Sequence, residues 1–344
     1  KLDPHSAYST AEQTKRLNEP LQGSFDGIGV QFNILDDTLM VIQTVTGGPS
    51  EKAGVMAGDR IISVGDTAIA GVKMPQEEIM KRLRGPRGTK AHLGIMRDGI
   101  GETVYIDVVR DKIPLNSVDA AFMVTPHTGL IRFSNFAATT HKEVVEAIKK
   151  LKAQGMKNLI LDVTQNGGGF LQAAAEIASE LLPKDDLIVY TQGRAIKPQE
   201  FLSRGGNAFQ DGKVIILVDE YSASAAEILA GAVQDQDRGL VVGRRTFGKG
   251  LVQRPVDLPD GSMIRLTIAK YYTPSGRCIQ KPYEKGKQQE YRMDVINRFN
   301  HGELTNADSI HFPDSLRFQT LKKGRTVYGG GGIMPDYFVP LDTT

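Results

Sequence analysis

Two hydrophobic patterns divide the chain. From residue 23 to 112, apolar residues alternate with polar ones in short runs broken by glycine and proline. Thr38-Leu39-Met40-Val41-Ile42 is one strand-like run, and residues 59–64 another. Ala91, Leu93 and Ile95 alternate as far as Asp98-Gly99, a hairpin signal, and Val104, Ile106 and Val108 answer from the far side. Ser50 is placed to cap a one-turn helix through Ala53, and Ile79 and Leu83 share one face of a second. The pattern predicts a small β-rich module with two helices.

From residue 113 onward, strand-sized apolar runs alternate with helical periodicity. Strands are predicted at 129–133, 158–163, 187–191, 214–219, 240–243 and 263–269, with a strand-like run at 251–255. Helices are predicted at 140–154, with Val144, Ile148 and Leu151 inward, at 170–182, and at 223–236. Thr140 followed by Glu143 reads as a capping box. Such alternation implies a largely parallel sheet. Residues 1–22 hold one amphipathic stretch, 11–21, opened by Ser9-Thr10. Residues 281–325 form a polar excursion. Four glycines, Gly329 to Gly332, lead to a last strand.

Composition narrows the function classes. The 344 residues suit two or three domains, with 40% hydrophobic and 24% charged residues. A net charge of +2 argues against a dedicated nucleic-acid binder. The single cysteine, Cys278, allows neither an internal disulfide nor a cysteine-based zinc site, and does not set the compartment. No apolar run reaches the ~18 residues of a membrane helix. No signal peptide is visible, but the chain opens at Lys1 without an initiator Met, as a trimmed chain would. No metal motif and no cofactor requirement are found.

Three turns hold candidate chemistry. Ser222 and Ser224 join a buried strand to an Ala-rich helix, where free N–H groups and the helix dipole favour developing negative charge. They read equally as helix caps. Asn166-Gly167-Gly168-Gly169 exposes backbone N–H groups and suits either an oxyanion site or a plain turn. Residues 243–250 nearly match a phosphate loop, but Gly250 replaces the hydroxyl residue and a strand with Pro255 follows, so a nucleotide site is disfavoured. None of the six histidines lies in these turns. A Ser224–Lys249 pair needs none, provided the lysine is neutral. In an extended chain Gln253 shares a face with Lys249 and could orient its amine.

These residues together resemble the C-terminal processing peptidases, or tail-specific proteases. The resemblance runs from Leu2-Asp3-Pro4-His5-Ser6 through Gly27-Ile28-Gly29-Val30, the 49–62 stretch, the 159–169 strand and turn, Ser222 to Ile228, and Thr246 to Gly250 with Gln253. Thr164, Gly167 and Ala226 depart from the usual arginine, proline and third serine. The resemblance implies an α/β protease core of the crotonase/ClpP-like βα type, with an inserted PDZ domain. Residues 1–22 would belong to the core, 23–112 to the PDZ domain, and 113–344 to the core. It implies Ser224 as nucleophile, Lys249 as general base, Gln253 as its positioner, and Gly168 and Ala225 as oxyanion amides. Gly27, Ile28, Gly29 and Val30 would bind the substrate tail. It further implies protein substrates with free, apolar C-terminal tails, an adaptor or a second copy as partner, and an exported, periplasmic or envelope location. A catalytically silent PDZ scaffold and a crotonase-like acyl-CoA enzyme are the rival readings.

Overall fold

The computed structural model describes residues 3–206, 208–284 and 286–342. Leu2, the first residue of the resemblance, lies outside them. Contacts divide the chain into two units, residues 24–115 and the remainder.

The 24–115 unit is built on one antiparallel sheet. Its strands run in the order Val30–Leu35, Thr38–Thr44, Arg60–Val64, Lys90–Met96, Val104–Val109, with Thr67–Ala68 paired to the third. The expected hairpin forms, with Ala91 opposite Val108 and Leu93 opposite Ile106. Leu39, Val41, Ile61, Leu93, Ile95 and Val108 are buried, so alternation places one face in the core. Ile79 and Leu83 of the Gln76–Leu83 helix join it. A second ladder pairs Ser24–Gly27 with Asp111–Pro114. The short helix is Pro49–Ala53, but Ser50 does not cap it. Pro49 takes the first turn, where its missing N–H is harmless, and Ser50 lies inside, buried, its Oγ without a partner.

In the other unit a six-stranded sheet runs Val118–Thr125, Thr128–Phe133, Asn158–Asp162, Val214–Val218, Leu240–Gly243, Tyr337–Phe338. The first pair is antiparallel and the rest are parallel. Leu159, Leu161, Ile216 and Val218 are buried. A second, antiparallel sheet assembles Ala7–Ser9, Met263–Tyr272, Leu187–Gln192 and Gln199–Leu202, with Leu251–Asp257 along Met263–Tyr272. Local alternation does not reveal this sheet, because its strands come from far apart in sequence. The helix Ala225–Asp235 is buried at every position and touches strands of both sheets. Alanine lets it fit there, since a larger side chain would hold the strands off.

Two expectations at helix starts have opposite outcomes. Thr10 and Gln13 do form a reciprocal capping box at Ala11–Gln22. At Thr140–Ala153 the box is absent. Thr139 precedes the helix, Thr140 Oγ1 instead accepts Ala137 N–H, and Glu143 accepts the N–H groups of Ser117 and Val118. Tertiary partners have taken both side chains. Within the polar excursion, Gln288–Asn300 is a helix.

Candidate active site

The strand Val214–Val218 delivers a tight turn onto the N-terminus of Ala225–Asp235. Asp219 holds that turn, its Oδ1 accepting the N–H groups of Gln165, Tyr221 and Ser222. The buried Ser222 hydroxyl donates to Val163 O at 2.7 Å, tying two strand ends together. Ser222 is thereby structural. Ser224 sits at the helix entry with φ +57° and ψ −111°, a backbone conformation that L-residues avoid. Such strain persists only where the surroundings impose it. Here Glu227 Oε2 accepts the Ser224 N–H at 2.8 Å, and the Tyr271 hydroxyl donates to Ser224 O at 3.0 Å.

The glycine turn packs directly on this serine. A Cβ on Gly168, at φ +98°, would lie 2.7 Å from Ser224 Cβ and 2.9 Å from Ala225 N. One on Gly169 would lie 2.3 Å from Phe136 O. Only glycine allows either approach. Ala225 is the first residue of its helix, so its N–H has no intrahelical acceptor. The Gly168 N–H, by contrast, donates to Asn166 Oδ1 at 2.9 Å. Of the two amides expected to hold an oxyanion, Gly168 therefore has its N–H engaged within the turn in this structure. Asn166 is fixed for this, donating to Phe133 O and accepting the Ala223 N–H.

Lys249 lies on the loop after Leu240–Gly243. Glu227 organises that loop too. Its Oε1 accepts the Thr246 hydroxyl and the Gly248 N–H, and its Oε2 the Lys249 N–H. Full burial pushes the Glu227 carboxyl up, and its four donors oppose that. Burial holds the Lys249 ammonium below its ordinary range; Arg265 adds to this and Glu227 opposes it. His5, near enough to Lys249 to feel its charge, is held down to about 4, mainly by burial.

One cavity of about 550 Å³ is lined by Gly168, Ser224, Ala225, Lys249 and Gln253, the five expected residues, together with Arg265 and Tyr271. Gln253 reaches it differently from the expectation. A bulge between Val252 and Gln253 breaks the strand alternation on which the shared face rested. Its amide nitrogen donates to His5 O at 2.7 Å. Of the expected tail-binding residues, Ile28, Gly29 and Val30 line a small cavity of about 60 Å³ with Phe25, Phe32, Met80, Leu83 and Arg84. Gly27 does not line it; it pairs with Asp111 in the second ladder. Among the described residues no group of three or more His, Cys, Asp or Glu could hold a metal ion.

Glu227, Tyr271, Asn166, His5 and Arg265 had no assigned role in the sequence reading. Only Glu227 carried a local signal, three residues after a helix-capping serine.

A model described as Peptidase family S41 matches residues 127–288, and one described as PDZ domain matches residues 27–108. The chain belongs to peptidase family S41. The S41 match spans both Ser224 and Lys249. The chain is 36% identical over 284 residues to the carboxy-terminal-processing protease of Bartonella bacilliformis, covering 81% of this chain and 64% of that one. It is 37% identical over 284 residues to the carboxyl-terminal-processing protease of a Synechocystis species, covering 81% and 66%. A solved photosystem II D1 C-terminal processing protease is 30% identical, covering 80% of this chain and 75% of that one, with a TM-score of 0.46. This S41 chain thus spans 64–66% of those two curated relatives' length.

Proposed function

We propose that this chain is a serine endopeptidase that selects protein substrates by free, apolar C-terminal tails. The observation that carries the reading is the shared cavity of Ser224, Lys249, Gly168 and Ala225, with the lysine amine disfavoured as a cation. Ser224 Oγ attacks the scissile carbonyl carbon and Lys249 Nζ takes its proton. The oxyanion forms at the helix N-terminus, against the Ala225 N–H. Gly168 N–H joins it on leaving Asn166 Oδ1. The tetrahedral species collapses as Lys249 returns the proton to the leaving amine. Water, deprotonated by Lys249, then attacks the acyl carbon, and Lys249 returns that proton to Ser224 Oγ as the ester bond breaks. Gln253 steadies the lysine through its carbonyl oxygen, its nitrogen being held by His5.

In this reading residues 24–115 are the tail-reading PDZ domain and the remainder is the protease core. The parallel sheet with its glycine-turn amides supports the crotonase/ClpP-like description of that core. The small cavity beside Ile28, Gly29 and Val30 has apolar walls from Phe32, Met80 and Leu83, which suits an apolar last residue. A location in the periplasm or cell envelope belongs to the same reading and rests on family resemblance alone. Among the described residues no helix is long and apolar enough to cross a membrane.

The test is cleavage of an unfolded protein with an apolar C-terminal tail, by wild type, Ser224→Ala and Lys249→Ala. A matched substrate carries an amidated terminus. Cleavage by wild type alone, weakened by amidation, is expected. Cleavage indifferent to amidation would remove tail reading and keep the protease. No cleavage by wild type would favour a PDZ scaffold.

A further inference from the structure

The helix Gln288–Asn300 lies in the polar excursion and buries two of its side chains, Tyr291 and Arg298. Both turn toward the loop that carries Lys249. Arg298 donates to Thr246 O at 3.1 Å and to Arg245 O at 2.5 Å. The Tyr291 ring meets Phe247 edge to face at 6.2 Å, and the Lys281 ammonium lies over both rings, at 4.2 and 3.8 Å. Lys281 N–H donates to Gly248 O. Glu227 grips the loop from the nucleophile helix, and these groups grip it from the excursion.

The Tyr291 hydroxyl is where two further chains of contact meet. It pairs with His5 Nε2 at 2.8 Å and accepts from Gln280 Nε2 at 3.2 Å. The His5 carbonyl holds the Gln253 amide at 2.7 Å. Gln280 Oε1 accepts the N–H of Gly250, the residue after Lys249, at 2.9 Å. One hydroxyl thus fixes both the residue following the lysine and the glutamine in its cavity.

We propose that Tyr291 is a positioning residue for the Ser224–Lys249 reaction, and that its helix is a strap which holds the lysine loop in its reactive place. The proposal rests on the Ser–Lys reading above. The charged and titratable groups facing Lys249 include Glu227 from the nucleophile helix, Arg265 and Tyr271 from Met263–Tyr272, the latter's hydroxyl donating to Lys249 O, and His5 from the N-terminal segment. Burial is the first cause of the lysine's depressed basicity, and in this proposal Tyr291 preserves it by holding His5 and Gln280, which in turn hold Gln253 and Gly250 beside the lysine. Removing the hydroxyl leaves His5 Nε2 seeking water and Gln280 Nε2 bonded to Lys281 O alone, with one N–H unpaired. Water entering beside Lys249 stabilises the ammonium and loosens its aim.

Tyr291→Phe keeps the ring and deletes the hydroxyl; Tyr291→Leu deletes both. In the full chain, kcat and KM are measured across about pH 6–10 with the unfolded substrate, beside thermal melts. Tyr291→Phe is expected to lose about tenfold or more in kcat with KM little changed. Its acid limb should rise by about one pH unit, because the base must be neutral. A structural role alone would lower the melting temperature and leave that limb where it is. A Tyr291→Phe enzyme with an unmoved limb overturns the proposal, whatever Tyr291→Leu does. The acetylation rate of Lys249 against pH, read by mass spectrometry, gives the same answer without turnover. An equal midpoint in wild type and Tyr291→Phe overturns the proposal even if no substrate is cut. Activity surviving in Ser224→Ala would instead sink the underlying reading.

Discussion

Glu227 Oε2 accepts the backbone N–H of Lys249 at 2.9 Å, across 22 residues of sequence. The same oxygen holds the Ser224 N–H at 2.8 Å. Ser224 and Lys249, the nucleophile and base of the reaction proposed above, are therefore registered to one buried carboxylate rather than to each other. Glutamine at this position has one acceptor where the carboxylate has two, and its NH₂ would face two backbone donors. Each donor left unsatisfied in a buried site costs about 1–3 kcal/mol. Glu227→Gln is expected to lower stability by about 2–5 kcal/mol and to lose activity even at temperatures where it stays folded. Urea unfolding and cleavage assays on one preparation check this. A variant as stable and active as wild type would remove Glu227 from the account.

Ser224 stands at φ +57°, where a Cβ is disfavoured whatever the side chain. Alanine inherits that strain and glycine does not. Ser224→Gly and Ser224→Ala should both be inactive, since both lack the hydroxyl. Glycine should nonetheless be the more stable of the two by about 1 kcal/mol, the relief of strain exceeding its extra unfolded-state freedom. Equal urea midpoints would show that the serine backbone is not strained in solution.

How much of this was legible in the sequence depends on the range of each interaction. Ile79 with Leu83, and Leu93 with Ile106, followed from local periodicity and a turn dipeptide, and the structure has them. The parallel sheet followed from buried runs such as 214–218. The antiparallel sheet around Met263–Tyr272 did not, because its partners are as distant as Ala7–Ser9. Ser50 and the Thr140–Glu143 pair looked like caps because cap signals are short; a proline and tertiary partners override them. The helix Gln288–Asn300 escaped notice because it buries so few side chains that no apolar stripe marks it. At the site, Ser224, Lys249, Gly168, Ala225 and Gln253 were all named from motifs and line one cavity. What holds them was not legible: a hydrogen bond from Gly168 to Asn166, a bulge before Gln253, and a tyrosine from a remote helix depend on coordinates.

Lys249 gives the pH dependence its sign. Its ammonium is depressed first by burial, then by Arg265. In the proposed reaction the active form is the neutral amine, so activity should rise with pH through that depressed value. Arg265→Gln removes a like charge, raises the lysine, and should move the acid limb of kcat/KM upward by up to about one pH unit. For stability, a depressed base binds fewer protons folded than unfolded. Stability therefore climbs with pH between the folded value and the ordinary one near 10.5. Lys249→Met removes the penalty. It should be more stable than wild type at pH 7, by a margin that narrows as pH approaches the ordinary lysine value. A margin that is constant with pH would mean the lysine is not desolvated.

Arg277 and Asp235 form an ion pair at 2.6 Å with both side chains fully buried. Arg277 also donates to Gln234 Oε1 at 2.7 Å and Tyr328 O at 2.9 Å, so its charge is fully engaged. The pair locks the C-terminal end of Ala225–Asp235 to the segment following Met263–Tyr272. Asp235→Asn leaves the guanidinium buried without a counter-charge and should cost about 3–5 kcal/mol. Replacing both partners, Asp235→Leu with Arg277→Met, removes the stranded charge and should recover most of that loss. Because the pair touches neither Ser224 nor Lys249, each variant should keep the wild-type pH profile for whatever fraction remains folded. Scanning calorimetry on the single and double variants decides between this and a catalytic role. A single variant that melts like wild type yet fails to cleave would mean the pair acts on the chemistry rather than on the fold.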